Sequence, residues 1–417
     1  MTHGGGFQGA VEMCNNNGAC RKMAGGVMCP SYRVTRDEKD VTRGRANTLR
    51  LAVTGQLGRT ALTSSEMAET MKLCVSCKAC RRECPTGVDM ARMKIEVQAA
   101  RAKELGLSLR DMLVGYLPRY APYATRVRFL LNARDHVPGA AQLMESIVGF
   151  SARRKLPKWR GDVFEDYDAG PVGGPEVVLF ADTFNRYFER ENLQDAVTVL
   201  TAAGYRVHAA KAPGPSRPLC CGRTFLSVGA VSKAQEEMQR TLDALSPFIA
   251  RGVPVVGLEP SCILGFRDEI PGLMGTDAAK KLAELAMTFE EFLMREHEAG
   301  RLRLPLKATA RRALVHGHCH QKSFDVFTPV QKLLKLIPEL DVETIESSCC
   351  GMAGSFGYGA ETIDVSLAMG ELSLLPAVRK AKAGDIIVAD GTSCRHQIHD
   401  GTGREALHVS RVLAGCL

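Results

Sequence analysis

An α+β multidomain protein is predicted: a small α-helical, cysteine-rich domain followed by a duplicated α/β domain. Three observations predict it. Four cysteines crowd into the run Cys74-Val-Ser-Cys77-Lys-Ala-Cys80-Arg-Arg-Glu-Cys84-Pro85, inside a stretch that otherwise reads as helix. From Glu176 onward, short apolar strands alternate with helical segments, the pattern of a parallel α/β sheet. That pattern is traversed twice, and each pass carries Cys-Cys-Gly at the matching place, Cys220-Cys221-Gly222 and Cys349-Cys350-Gly351.

Residues 1–105 form the first domain, whose clearest helical stretch, Ser65 to Glu104, is broken at the cysteine run and punctuated by Pro85 and Gly87. Residues 106–175 connect, with amphipathic helical pieces around Leu109 to Leu117 and Ala124 to Leu131, and end in the linker DAGPVGGPE. Residues 176–417 form the third part. Its first pass, 176–270, runs VVLFAD, a helix through Arg190 to Ala203, YRVHAA, a Pro-rich loop and VPVVGLE. Its second, 312–400, runs ALVHGH, VQKLLKLI, DVETIE and DIIVAD, and superposing the two sets Cys262 against Cys394.

With 417 residues, 45% of them apolar and 24% charged, the chain has room for two or three cored domains and is not a disordered one. No apolar run approaches the ~18–20 residues of a spanning helix, and MTHGGGFQGA lacks the apolar stretch of a leader peptide, so a cytoplasmic protein is expected. In a reducing compartment, fifteen cysteines read as metal ligands or redox groups rather than disulfides. The net charge of +8 is local: residues 1–110 carry 18 Lys and Arg against 10 Asp and Glu. Aromatics, at 6%, do not interleave with these basic residues, so a base-stacking nucleic-acid surface is not expected. The charge instead suits anionic thiolate-ligated clusters.

The C-x2-C-x2-C-x3-C-P spacing wraps three thiolates around one face of a cubane and sends the fourth to a second cluster. Upstream stand Cys14, Cys20 and Cys29-Pro30, with Asn17 where another cysteine would fall. The crossed-ligand rule then predicts one [4Fe-4S] cluster on Cys29, Cys74, Cys77 and Cys80. Cys14, Cys20 and Cys84 are left for a second, as a three-iron cluster, a cubane with a non-cysteine ligand, or a lost site. A zinc knuckle is the bland alternative to the first cluster.

Adjacent cysteines point apart unless the backbone turns sharply, a turn that Gly222 and Gly351 permit. With Cys262, Cys319 and Cys394 at other strand ends, seven thiols are expected near one crevice, as an additional iron–sulfur or zinc site or as small buried hydrophobes. The segment His316-Gly-His318-Cys319-His320 adds His318 and His320 as candidate ligands; on a strand its three histidines would share one face and Cys319 the other. The glycines after Cys350 lack the start of a dinucleotide fingerprint, and no P-loop or G-x-S-x-G element occurs, so no flavin or nucleotide site is expected on this chain.

Taken together, CNNNGACRK, MCPSY, TRGRANTLRLA, LCVSCKACRRECPTGVDMARMK, RPLCCGR, LEPSC, HGHCHQK, CCGMAGSFGY and ADGTSCRHQI resemble the iron–sulfur subunit of glycolate oxidase. They resemble still more the iron–sulfur portion of fused FAD-dependent D-lactate and D-2-hydroxyglutarate dehydrogenases, over nearly the whole chain. The resemblance implies an α-helical ferredoxin-like domain followed by a duplicated cysteine-rich (CCG) domain similar to that of heterodisulfide reductase. It also implies a role: FAD in a partner subunit or domain oxidises a 2-hydroxy acid to the 2-oxo acid, and this part carries the electrons onward, to a quinone or cytochrome. Thr183, Glu259 and Gly391 depart from the heterodisulfide reductase pattern, standing where its repeats have cysteines.

The expected function is therefore electron transfer within a flavin-dependent 2-hydroxyacid dehydrogenase, without turnover by this chain alone. Arg33, Arg43, Arg45 and Arg50 would offset cluster charge, dock the flavoprotein or sit in solvent, and the basic stretch Arg153 to Arg160 would touch the inner face of a membrane or be plain linker. Gly4 to Phe7, close before Cys14, would suit a piece elsewhere fused behind a flavin domain. Two other classes compete: a thiol/disulfide reductase working at the CCG site, and a zinc-bound structural protein.

Overall fold

Short parallel strands organise residues 176–417 in the structure, a computed structural model that describes residues 5–212, 214 and 216–417. Gly4, and Pro213 and Pro215 of the Pro-rich loop, lie outside the described residues. Strands β1 (Glu176–Phe180), β2 (Arg206–Ala209), β3 (Val255–Gly257) and β4 (Ala286–Thr288) form one sheet in the order β2-β1-β3-β4. Strands β5 (Arg312–His316), β6 (Asp341–Thr344) and β7 (Ile386–Ala389) form a second, in the order β6-β5-β7. All pairings within them are parallel, as strands joined through helices require. The sequence pattern located six of these strands and passed over β4, three residues held between the Asp277–Leu285 and Phe289–Glu298 helices.

The period of two along each strand decides what the sheets face. Val177 and Leu179 of β1, Ala313 and Val315 of β5, and Ile386 and Val388 of β7 join one hydrophobic core shared by the two sheets. Their neighbours point the other way. Val178 and Phe180 enter a core with Cys220, Cys221 and Cys262. Leu314, Ile387 and Ala389 enter another with Cys319, Cys349, Cys350 and Cys394. Of the seven thiols expected near one crevice, three thus enter one core and four the other, each beneath its own sheet.

That last core also contains the first domain, bringing Met28, Leu49, Met67, Met90 and the N-terminal cysteines against the second sheet. The predicted helical stretch is helices Ser65–Lys72, Ala79–Glu83 and Met90–Leu105, with Ser64 and Asp89 accepting from Met67 N and Arg92 N as N-caps. The connector carries helices Leu109–Gly115 and Arg128–Asn132 where helical pieces are expected, and adds two unanticipated ones, Leu117–Ala124 and Ala140–Val148. It exposes Phe129, Leu130, Leu143 and Ile147, each more than 60% accessible. No helix among the described residues is long and apolar enough to cross a membrane.

Candidate metal centres

All fifteen cysteines are free and most are buried. Cys29, Cys74, Cys77 and Cys80 line one cavity together with Thr42, Arg45, Ser76 and Lys78. Chain geometry makes it possible: Ser76 and Lys78 adopt φ of 51° and 60°, the left-handed region that side chains other than glycine rarely occupy. They flank Cys77 and curl the backbone around it, in the manner of turns that cradle anions. Cys29 is the N-cap of the Pro30–Thr35 helix, whose Pro at the first position needs no donor.

Burial pushes the Cys77 and Cys80 thiols well up and the Cys29 thiol up to about 11. Four such thiols facing one cavity are stable as neutral groups or as ligands of a cation, the donor chemistry of an iron–sulfur cluster. Donors for sulfur are in place: Thr42 Oγ1 lies 2.9 Å from Cys29 Sγ, and Met90 N donates to Cys80 Sγ at 3.4 Å. Arg45, 1% exposed, is held by the carbonyls of Thr70 and Asp40 and by Ser31 Oγ, and its charge lowers the Cys29 pKa. Arg33 is also buried and hydrogen-bonds the Met28 carbonyl at 3.2 Å. These two are internal cations of the site rather than solvated surface groups.

Cys14 and Cys20 lie on the neighbouring segment, close enough for Cys14 to raise the Cys20 pKa beyond what burial does. Arg50 donates to the Cys14 carbonyl at 2.6 Å, and Arg43 acts on the charge of both cysteines. Cys84 differs in kind. Burial raises its pKa, but the Thr86 hydroxyl, 3.3 Å away, and backbone N–H groups of residues 86–88 outweigh that and leave it below the usual thiol value. Asn17 spends its Oδ1 on Ala19 N at 2.8 Å and is exposed, so it offers no ligand atom here.

The two Cys-Cys-Gly turns are alike. Gly222 (φ 83°) and Gly351 (φ 91°) take the left-handed conformation, and their N–H groups donate to Cys220 Sγ and Cys349 Sγ, each at 3.4 Å. A Cβ at Gly351 would lie 2.3 Å from the Ser366 carbonyl oxygen, so only glycine fits. In the first set Cys221 bridges Cys220 and Cys262, with Asp182 and Glu259 beside Cys262. In the second, Cys349 contacts Cys319 and Cys350, and Cys394 contacts Cys350. Lys322 Nζ donates to the Ser347 carbonyl and feels the charge of Cys394, Cys319 and Cys349.

The histidines are placed differently from the strand expectation, because β5 ends at His316 and a helix begins at Cys319. His318 is the N-cap of that helix: its Nδ1 accepts from His320 N at 3.2 Å, which leaves its proton on Nε2. His320 sends Nε2 to the Ser76 carbonyl at 3.2 Å, into the loop that carries Cys74 and Cys77. His316, instead, places a ring nitrogen with Cys350 and Cys394, the three ligand atoms lying within 4.8 Å of one another. Its signal in the sequence was alternation, since 314 and 316 share the face opposite to apolar 313 and 315.

Gly391 explains one departure from the heterodisulfide reductase pattern. A Cβ there would lie 2.4 Å from His318 Cδ2. Gly391→Ala, and still more Gly391→Cys, is therefore expected to destabilise the chain by about 1–3 kcal/mol through overpacking. Denaturant unfolding of the anaerobically purified protein measures this, and an unchanged midpoint would show that the ring moves aside.

The two halves meet at the cluster loop. Lys78, 2% exposed, pairs with Asp268 and, at 2.8 Å, with Glu269, while Arg81 and Arg92 also reach Asp268. Ser323 Oγ donates to the Cys77 carbonyl at 2.8 Å. After burial, the strongest influence on the Cys77 thiol is Cys349 of the second set. No sequence signal pointed to Asp268 or Ser323.

Comparison with known proteins agrees with this layout. Residues 10–88 match the family of the 4Fe-4S dicluster domain, and residues 313–399 match that of the cysteine-rich domain. The chain is a relative of iron–sulfur subunits and domains of dehydrogenases. It is 26% identical over 329 residues to one subunit of the anaerobic glycerol-3-phosphate dehydrogenase of Escherichia coli K12, covering 77% of this chain and 81% of that one. It is 27% identical over 456 residues to the D-2-hydroxyglutarate dehydrogenase of Pseudomonas putida, covering 98% of this chain but only 43% of that protein. With the glycolate oxidase iron-sulfur subunit of Escherichia coli K12 it shares 24% over 364 residues, covering 83% of this chain and 80% of that one. No solved structure is significantly similar to the chain.

Proposed function

We propose that the chain is the iron–sulfur electron-transfer component of a flavin-dependent 2-hydroxyacid dehydrogenase. It would take electrons from FAD in a partner subunit or domain and pass them to a downstream acceptor, a quinone or cytochrome. The observation that carries this reading is the adjacency of two thiol sets, the cavity of Cys29, Cys74, Cys77 and Cys80 against the set containing Cys349. Cys29, Cys74, Cys77 and Cys80 would hold a [4Fe-4S] cluster, and Cys14, Cys20 and Cys84 a second. When bound, such clusters relay the electron pair of a reduced flavin one electron at a time. The protein's own part is to exclude water from the thiols, to donate N–H and O–H groups to sulfur, and to place Arg33, Arg45 and Lys322 where they offset negative charge.

The 2-hydroxyacid class, glycolate- or D-lactate-like, is favoured over a glycerol phosphate because the D-2-hydroxyglutarate dehydrogenase match spans 98% of the chain. The matching strand orders, β2-β1-β3 and β6-β5-β7, support a duplicated CCG domain. A thiol/disulfide reductase is disfavoured: Cys220, Cys221, Cys349 and Cys350 are all at most 6% exposed, and a reacting thiol needs access. The exposed apolar face of the connector supports docking of the flavin partner. The basic stretch does not support a membrane contact, since Arg153 pairs with Asp364, Arg154 with Asp400, and Arg160 with Asp162 and Glu191.

Iron, sulfide and zinc content, with EPR before and after dithionite on anaerobically purified protein, tests the reading. About four iron per chain and one reduced signal are expected from the first cluster alone, and seven or more with a further centre. Zinc without iron would overturn it.

A further inference from the structure

We propose that His316 Nε2 is a ligand of the second thiol set, joining Cys319, Cys349, Cys350 and Cys394 in a mixed imidazole–thiolate iron–sulfur centre. The inference rests on the proposed electron-transfer function, extends it to a centre on this thiol set, and adds a ligand of a different kind.

Position comes first. In the first sheet β1 ends at Phe180, paired in register with Gly257; in the second β5 ends at His316, paired with Ala389. Phe180 fills its place with carbon, packing edge-on against Phe266 at 4.8 Å. His316, 1% exposed, brings a nitrogen to the matching place, where its ring interacts with the Cys350 thiol and Nε2 finds no nitrogen or oxygen partner. A buried ring nitrogen needs a partner, a need that Phe at the same place does not have. A ring nitrogen of His316 and the Sγ atoms of Cys350 and Cys394 lie within 4.8 Å of one another, and Nδ1 is taken up by Ser347 Oγ.

The proton is on the other side of the ring. His316 Nδ1 lies 2.7 Å from Ser347 Oγ; in the tautomer we assign, that hydroxyl directs its one proton to the Ile345 carbonyl at 3.3 Å and accepts from Nδ1. That tautomer leaves the lone pair on Nε2, free for a ligand bond. An outer hydrogen bond that fixes the tautomer in this way is the usual support of a metal-bound histidine. His318 and His320 lack it: His318 has its Nδ1 lone pair engaged by a backbone N–H and its ring against Gly391, and His320 directs Nε2 to Ser76. A neutral imidazole in place of a thiolate makes the centre less negative and raises its reduction potential, as histidine ligation does in two-iron centres.

The test is pulsed EPR of the reduced, anaerobically purified full chain, grown with natural or nitrogen-15 histidine, alongside iron and zinc analysis. A directly bound nitrogen coupling that changes with the isotope is expected. In His316→Cys that coupling should vanish while iron content holds and the potential falls. Persistence of the coupling in His316→Cys, or its absence when iron analysis shows the set filled, overturns the proposal and leaves the electron-transfer reading intact. Zinc in the set, with a bound nitrogen in its X-ray absorption that disappears in His316→Cys, would uphold the ligand and overturn the iron–sulfur reading instead. Should His316→Cys fail to fold, Ser347→Ala must alter the coupling, and an unchanged spectrum overturns the proposal.

Discussion

Replacing Cys77 with Ser is expected to reduce electron flow from the flavin partner to a dye or quinone to background and to remove about four iron per chain. Cys77 combines two roles. It lines the first cavity, and it is the member of that set whose thiol feels Cys349. Its carbonyl is further held by Ser323, so the backbone of the loop stays in place when the sulfur is lost. Stopped-flow reduction with iron analysis checks the prediction. Cys416→Ser is the control, because Cys416 sits beside Thr309, within the core that the two sheets share, and should lose no iron. Cys84→Ser distinguishes the second cluster: retained dye reduction with iron lost would place that cluster off the main route.

Asp268→Ala is expected to be the most damaging substitution outside the cysteines. Asp268 has no exposed side-chain surface and receives Lys78, Arg81 and Arg92, so its removal leaves Lys78 inside with Glu269 as its remaining carboxylate. Breaking one partner of a buried pair typically costs about 3–5 kcal/mol. A lower denaturation midpoint and faster loss of iron to a chelator would both report it, and wild-type behaviour in both would show that the clamp is dispensable. The same group sets an acid limit. Burial alone would raise its pKa, but Lys78, Arg92 and Arg81 hold the carboxyl down to about 2. A depressed carboxyl stabilises the fold above its ordinary value near 3.8 and loses that contribution as pH falls from there toward 2. Wild type should therefore lose midpoint stability in that window more steeply than Asp268→Asn.

The sequence read well where one residue type carries both pattern and chemistry. Cys29, Cys74, Cys77 and Cys80 were grouped by spacing alone, and the structure puts all four on one cavity. Six of the seven strands among the described residues were visible because buried parallel strands are short apolar runs. What escaped was long-range pairing. Lys78 is an unremarkable lysine in sequence, and only the fold shows it meeting Asp268, 190 positions on. The histidines failed for a local reason: the strand was read through residue 320, whereas His318 turns the chain by capping a helix. Once β5 stops at His316, that residue and not its neighbours faces the sulfurs.

The wrapping of the cluster loop by distant parts of the chain has a consequence for biogenesis. Cys80 completes the first proposed ligand set, but Asp268, Ser323 and Cys349, which close over the loop, are made far later. At synthesis rates of about 5–20 residues per second, the interval from residue 80 to residue 349 lasts roughly 13–55 s. During that interval the thiols are open to a scaffold that delivers iron and sulfide. After it, the contacts with Asp268, Ser323 and Cys349 cover the loop, so a cluster held there as proposed would be reached by parting the first domain from the second sheet. On the proposed assignment, loading would be easiest before the later residues close over the loop, and later reloading would compete with the stability of those contacts.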